Sequence, residues 1–212
     1  MYGAASSNYP LCLKITRTLS LLSMCFFFLY YCIMDNRLEY FLFMTNWGLI
    51  ITFMYFSLAL LNYFIPKLDS LVCSLFLVLW EFNIVITFFY WGVLVPLSDS
   101  DPNFRGTSTH LAPIICTLTE FSLNKIQFDR KEYIIPIGTL IFYLIGVLIP
   151  YSFFDSPIYV IDFSESFHFY IIALLVLIAL AGLELGRLMR GLINKSDRKK
   201  ERHDSEAMQP LL

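Results

Sequence analysis

Charged residues are scarce in this chain of 212 amino acids. Asp, Glu, Lys and Arg make up only 15% of it, whereas about a quarter is usual in a soluble domain. The formal net charge of −2 gives no electrostatic basis for binding nucleic acid. Hydrophobic residues account for 58%, and the mean hydropathy is +0.66. These values exclude an ordinary water-soluble domain and predict one membrane domain with short tails.

The residues that hold metals, nucleotides and disulfide frameworks are few or unsuitably spaced. The five cysteines have neither the spacing of a metal site nor a paired arrangement in a loop. We therefore expect them to act as small packing residues. Carboxylate pairs with metal-ligand spacing and glycine-rich phosphate loops are also absent from the sequence. The sequence predicts no metal and no cofactor.

Apolar stretches separated by short polar breaks run from Leu19 to Met189. Each has about the length, roughly 20 residues, that a helix needs to cross a hydrocarbon layer of about 30 Å. Helices are expected because an open sheet would leave backbone groups unpaired in lipid, and the residue alternation of a β-barrel is missing. The predicted fold is all-α, a polytopic membrane protein with a bundle of six transmembrane helices. The predicted spans are 19–34, 40–64, 70–96, 107–123, 132–152 and 168–190.

The distribution of Lys and Arg predicts that both termini are cytosolic. With the N-terminus inside, only Arg37 and Arg105 of the 15 basic residues lie on the outer side, which agrees with the excess of positive charge in cytoplasmic loops. The predicted parts are a cytosolic segment at 1–18, the transmembrane domain at 19–190 and a cytosolic, disordered tail at 191–212. We expect an endomembrane or plasma-membrane protein with membrane lipids as partners. The sequence predicts no particular oligomeric state.

Strongly polar residues inside the predicted spans are candidates for function. Polar groups in hydrocarbon are costly, so they face the bundle interior or a wet cavity. Thr45 lies near the outer start of the second span and His110 at the outer start of the fourth, which predicts one common depth. An imidazole can remove a hydroxyl proton near neutral pH, so this pair could attack a lipid ester carbonyl. The structural alternative is a threonine bonded to its own helix and an interfacial histidine.

Two acids and two glycines in the spans have open roles. Glu81 is predicted to be a protonated or paired structural acid, or else a proton or ion site. Glu120 does not share a helix face with His110, so a carboxylate that orients the histidine must come from another helix, or Glu120 is a supporting polar residue that only holds the bundle together. The small-xxx-small pair Gly182 and Gly186 predicts either a close helix contact or ordinary packing.

A transporter function is a further alternative. It would use Glu81, Asn83 and Glu120 to form a polar path through the midplane of the membrane. However, the sequence has no pair of broken helices and no internal repeat, which are typical of transporters.

The segment Tyr40-Phe-Leu-Phe-Met-Thr-Asn-Trp-Gly48 resembles the entry of the second span in rolling-stone-like proteins. Those proteins in turn resemble the broader family of androgen-induced, FAR-type six-span membrane proteins. Further segments resemble that family in the same order along the chain: Val85–Trp91, Thr109-His110 with Glu120 ten residues later, and Pro157–Phe163. The resemblance covers about residues 20–190.

This family includes lipid hydrolases with a threonine nucleophile and a histidine partner. The resemblance implies that Thr45 attacks a lipid ester, such as a fatty acid ester of a hydroxy fatty acid, and that His110 acts as base and then acid. The Asn46 side chain is a candidate oxyanion donor. Gln127–Arg130 stands where the hydrolases have a histidine-rich stretch. The rolling-stone branch implies the alternative of a non-enzymatic membrane protein in adhesion, fusion or scaffolding.

Overall fold

A computed structural model describes residues 11–34, 43–97, 104–149 and 167–207. Within these ranges the chain is helical apart from short connections, and no strand forms. The prediction of an all-α protein is therefore confirmed. The main helices are α1 (Leu11–Met34), α2 (Met44–Leu61), α3 (Asp69–Phe89), α4 (Phe104–Leu123), α5 (Ile134–Tyr143) and α6 (Phe167–Ala207).

Short irregular helices extend two of these elements. The 3₁₀ helices Pro66–Leu68 and Arg130–Tyr133 lead into α3 and α5. At their other ends, α3 and α5 continue through π-helical turns at Tyr90–Leu94 and Leu144–Leu148. A π turn adds a residue to the turn and re-aims the side chains that follow, and such turns are frequent at functional sites.

Among the described residues, five helical stretches are long and apolar enough to cross a membrane. They are Leu11–Tyr30, Met44–Leu61, Pro66–Leu94, Arg130–Leu148 and Tyr170–Ser196. These helices are compatible with a multi-pass membrane protein. Although α4 has 20 residues, it is not among the five, because threonines, His110 and Glu120 dilute its apolar character. The sixth span therefore stays a prediction.

The helices run up and down between two ends of the bundle. Arg17, near the start of α1, contacts Glu120, and Arg190, late in α6, contacts Phe121. The first turns of α1 and the later turns of α6 therefore lie together, where α4 finishes. We name this the Glu120 end, and the opposite end, where α2 and α4 begin, the Thr45 end. That the Glu120 end faces the cytosol stays a prediction.

Both terminal helices are longer than the sequence predicts. Helix α1 begins at Leu11 instead of residue 19, because Leu13 and Arg17 each pack against the bundle with only 1% exposure. Helix α6 continues to Ala207, through much of the tail predicted to be disordered. Extending an existing helix needs no new nucleus. The added residues are also rich in Lys, Arg and Glu, which are good helix formers.

The core of the bundle lies around α3, whose residues are buried on nearly every side. Helix α6 packs closely on α3, and the Trp80 Nε1–H donates to the Gly182 carbonyl oxygen at 2.9 Å. A Cβ atom on Gly182 would lie 2.9 Å from Cγ2 of Ile84, and one on Gly186 would lie 2.6 Å from Cε1 of Phe128. Of the two predicted roles for these glycines, the structure shows the close contact.

Large apolar side chains cover the outside of the bundle. In water such a surface would mark an interaction site or an aggregation risk, whereas hydrocarbon solvates it. Examples more than half exposed are Phe26, Leu29, Ile134, Phe142, Leu177, Leu188 and Leu192.

Some predicted features lie outside the described residues. They include Arg37, which is predicted to lie on the outer side, the motif Pro157–Phe163 and the beginning of the motif Tyr40–Gly48.

Candidate functional site

Helices α2 and α4 run parallel and are held in one register. Tyr55 Oη donates to Glu120 Oε1 at 2.7 Å, and these residues are 65 positions apart. Asn83 of α3 donates its Nδ2–H groups to Thr52 Oγ1 at 3.1 Å and to Thr117 Oγ1 at 2.8 Å. The threonines that Asn83 bridges, Thr52 and Thr117, have the same separation in sequence as Tyr55 and Glu120. Both contacts therefore place equivalent turns of α2 and α4 at the same height.

Thr45 and His110 continue this register toward the Thr45 end. They have the same separation in sequence, and each precedes a bridged threonine by seven residues. Seven residues make nearly two turns, about 10 Å along the axis, and return to almost the same helix face. The register thus places the Thr45 and His110 side chains at the same height along the bundle. Each lies on the face of its helix that also carries a threonine bonded to Asn83. No hydrogen bond joins Thr45 to His110 in the described part of the chain.

His110 is buried and its ring is held in place. The imidazole stacks on the ring of Tyr90, with centroids 3.6 Å apart and planes 11° apart. Thr87 Oγ1 donates to the His110 carbonyl oxygen at 3.5 Å. The Nδ1 atom is buried without a partner among the described residues. Since an unsatisfied buried polar atom costs about 1–3 kcal/mol, a group that hydrogen-bonds to Nδ1 would bind favourably.

The π turn at the end of α3 supplies the aromatic surroundings of His110. It begins at Tyr90, and the ring of Trp91 meets the Tyr90 ring edge-on at 5.1 Å between centroids. Trp91 Nε1 is also buried without a partner among the described residues. From sequence, Trp91 is predicted only to pack or to anchor the interface. Its position beside Tyr90 in the motif Val85–Trp91 is the signal that could have associated it with the histidine.

Thr45 and Asn46 lie in the first turn of α2, where both are half-buried. The helix begins after Phe43, whose extended backbone lets its carbonyl accept from the Asn46 N–H at 3.0 Å. The first N–H groups of a helix have no partner within it and create a partial positive charge. An oxygen that becomes negative near Thr45 would be stabilised by this helix terminus, independently of the Asn46 side chain.

Glu120 belongs to a separate polar cluster at the Glu120 end. Its carboxylate accepts from Arg17 Nη2 at 2.6 Å and from Tyr55, and the side chains of the ion pair are 1% and 0% exposed. Arg17 also donates to the Ala59 carbonyl and the Tyr63 hydroxyl. Ten residues of helix, about 15 Å, separate Glu120 from His110. Glu120 therefore joins α1, α2 and α4 and does not orient the histidine.

Arg190 completes the same end of the bundle. Its guanidinium donates to the Phe121 and Asn124 carbonyl oxygens, both at 2.7 Å, and lies 4.2 Å from the centroid of the Phe121 ring. It thus satisfies carbonyls at the C-terminus of α4, where a cation is favoured by the helix dipole. From sequence, Arg17 and Arg190 are predicted only to be positive charges near the membrane surface, and the charge pattern does not reveal these contacts.

Glu81 is fully buried in the middle of α3, and both of its carboxyl oxygens lack partners among the described residues. Asn83 bonds to threonines instead, and Glu120 bonds to Arg17. Among the described residues, hydrogen bonds therefore do not link Glu81, Asn83 and Glu120 into the polar path that a transporter would need. No group of three or more metal-binding side chains forms in the described ranges.

The Asn83 bridge can be tested by Asn83→Leu, which keeps the volume and removes both donors. Hydrogen bonds between transmembrane helices contribute about 0.6 kcal/mol on average, so two should give a loss of about 1 kcal/mol in the free energy of unfolding. Unfolding by SDS in mixed micelles measures this. Thr119→Ala is the control, because that hydroxyl is exposed and bonds only within α4. Equal stabilities of the two variants would contradict the bridging role.

The helices are compatible with a multi-pass membrane protein. In the described part of the chain, a stacked, buried histidine lies toward one end of the bundle and a buried ion pair lies at the other. Comparison of the chain with models of protein families, with curated proteins and with solved structures finds no match.

Proposed function

We propose that this multi-pass membrane protein hydrolyses lipid carboxylic esters, with Thr45 as the nucleophile and His110 as the general base. We further propose that it belongs with the rolling-stone-like and androgen-induced six-span proteins, on the strength of the motifs in α2, α3 and α4. The observation that carries the proposal is the shared register of α2 and α4. This register puts Thr45 and His110 at the same height toward the Thr45 end of the bundle. There, His110 Nδ1 is buried and has no hydrogen-bond partner among the described residues.

The chemistry proceeds through an acyl-enzyme. His110 takes the proton of the Thr45 hydroxyl while Oγ1 attacks the ester carbonyl. The tetrahedral intermediate collapses, the C–O bond of the ester breaks, and the imidazolium of His110 protonates the departing alkoxide. Water then attacks the acyl-threonine with His110 again as base, which releases the fatty acid and restores the hydroxyl. No metal or nucleotide takes part in these steps.

The surroundings of the pair suit this reaction. The stack with Tyr90 fixes the plane of the imidazole. The first turn of α2 places backbone N–H groups next to the nucleophile, and N–H donors of this kind are effective at stabilising an oxyanion. A lipid ester dissolves in the hydrocarbon of the membrane, and the apolar outer surface of the helices contacts that hydrocarbon. The substrate therefore reaches the site from the membrane.

The test is covalent labelling of the full chain in membranes by a lipid fluorophosphonate, which loses fluoride when a nucleophilic oxygen attacks phosphorus. Thr45→Ala should abolish labelling, and His110→Ala should slow it by about 10²–10⁴-fold, the usual contribution of a general base. Thr45→Ser should keep it, because a hydroxyl remains. Thr18→Ala is the control, since that threonine is exposed on α1 and bonds only to the Lys14 carbonyl.

Labelling that is equal in all four variants would end the enzyme proposal. It would favour the non-enzymatic alternative of a membrane protein in adhesion, fusion or scaffolding. Labelling that disappears in Thr45→Ala but stays unchanged in His110→Ala would retain the nucleophile and exclude His110 as its base.

A further inference from the structure

A cavity of about 480 Å³ opens at the Glu120 end, between the Arg130–Tyr133 helix and α6. Arginines dominate its charged lining, with Arg130, Arg187 and Arg190 facing a single acid, Asp129. We propose that this cavity binds the headgroup of an anionic phospholipid that carries a phosphomonoester. This inference concerns a different end of the bundle from the Thr45 end and does not depend on the proposed esterase.

The guanidinium groups of Arg130 and Arg187 already bind one carboxylate, that of Glu184. Glu184 accepts from Arg130 Nε at 2.8 Å and from Arg187 Nη2 at 2.7 Å. A guanidinium has five N–H donors, so one carboxylate shared between two arginines leaves donors for a second anion. Arginine forks match phosphate oxygens in paired, charge-assisted hydrogen bonds. The side chains of Arg130 and Arg187 are 69% and 38% exposed, so a headgroup can reach them.

Arg190 gives the cavity a fixed positive charge. It is only 2% exposed, and its bonds to the Phe121 and Asn124 carbonyls hold it in place. Among the described residues, Arg130, Arg187 and Arg190 lie with two acids, Asp129, which also lines the cavity, and Glu184, which pairs with Arg130 and Arg187. A charge that is poorly screened by water attracts an anion more strongly than a solvated lysine does.

The surroundings indicate a lipid and not a free phosphate ion. The predicted membrane-crossing stretch of α5 begins at Arg130, so the cavity lies at the level of the headgroups. Exposed apolar side chains follow the lining residues along both chain segments, with Ile134 77%, Leu188 56% and Leu192 69% exposed, and acyl chains would lie against them. Beyond the cavity α6 continues into the basic stretch 195–202, which adds attraction to an anionic leaflet.

The experiment titrates the detergent-purified full chain with phosphatidylinositol phosphate and counts bound lipid by native mass spectrometry. Phosphatidylinositol, which lacks the phosphomonoester, is the matched lipid and should bind at least about tenfold more weakly. The double variant Arg130→Gln/Arg187→Gln should lose about tenfold or more in affinity for the phosphorylated lipid. Lys131→Gln, an exposed neighbour outside the cavity lining, should bind like the unchanged chain.

The double variant Arg130→Lys/Arg187→Lys separates a built site from general surface charge. It keeps the net charge and loses the forked geometry, so it should weaken binding nearly as much as the glutamine variant. Binding equal to that of the unchanged chain would overturn the proposal in favour of nonspecific attraction. Inorganic phosphate that competes as well as the lipid at equal concentration would also overturn it, because the site would then be one for a free ion. Thermal unfolding of both variants without added lipid checks that they fold.

Discussion

Replacing Glu120 with leucine is expected to lower the free energy of unfolding by about 3–5 kcal/mol, the cost typical of breaking a buried ion pair. The change leaves the Arg17 guanidinium buried without its carboxylate and removes the acceptor of the Tyr55 hydroxyl. Arg17→Met should have an effect of similar size, because it leaves the carboxylate uncompensated instead. Unfolding by SDS in mixed micelles measures both.

The combination Arg17→Met/Glu120→Leu distinguishes a coupled pair from two independent losses. It should be less destabilised than the sum of the single variants, since neither charge is left alone in the interior. Glu184→Leu is the matched control, because that glutamate also pairs with arginines but is 34% exposed. Its effect should be much smaller, as is usual for ion pairs near the surface. Additive single effects, or equal effects of Glu120→Leu and Glu184→Leu, would contradict the structural role of the buried pair.

The helices could be predicted because lipid allows few alternatives. A backbone in hydrocarbon must satisfy its own hydrogen bonds, so each long apolar run had to become a helix, and each predicted span contains a described helix. The second helix, Met44–Leu61, is shorter than the predicted span 40–64, because residues 62–64 form a turn. The weakest run, at 107–123, forms α4 but is not apolar enough to count among the membrane-crossing stretches. Its polar residues are the ones that bond to α1, α2 and α3.

Depth was predictable, but the partners at each depth were only partly recognised. The positions of Thr45 and His110 within their spans predict one common level, so the two residues could act together. The same argument places Arg17 and Glu120 at one level near the predicted inner surface, although each residue taken alone indicates only a topological charge or a supporting acid. Two opposite charges at one depth in lipid have a strong reason to meet, because neither can be left unpaired cheaply. That physical reason was available from the sequence alone.

The rotation of each helix about its axis was not predictable from a nearly uniform apolar composition. Helix α3 is buried on almost all sides, so no pattern distinguishes the face that meets Gly182 from the face that carries Asn83. The position of Trp91 depends in addition on the π turn, which cannot be predicted from the sequence. The long helical end of α6 depends on propagation from a membrane-anchored helix, which composition alone cannot reveal.

Gly186→Leu is expected to destabilise the bundle by about 3 kcal/mol, the upper part of the range for overpacking. Any Cβ at this position would meet three atoms of the Phe128 ring within 3.0 Å. The ring cannot move aside easily, because Phe128 is buried and packs edge-on against Trp80 and Phe121 at 5.5 and 5.8 Å between centroids. Helix α6 would have to shift away from the segment that carries Phe128. The free energy of unfolding in mixed micelles measures the loss.

Gly191→Leu provides the control on the same helix. A Cβ there meets nothing within 4 Å, and the position is exposed. Replacing a helical glycine at an open position removes its entropic cost, so stability should rise by about 0.5–1 kcal/mol. The two substitutions are chemically identical and should have opposite signs. A loss at Gly191 as large as that at Gly186 would mean that leucine disturbs α6 generally, and the close packing of α6 on Phe128 would then not be what Gly186 is needed for.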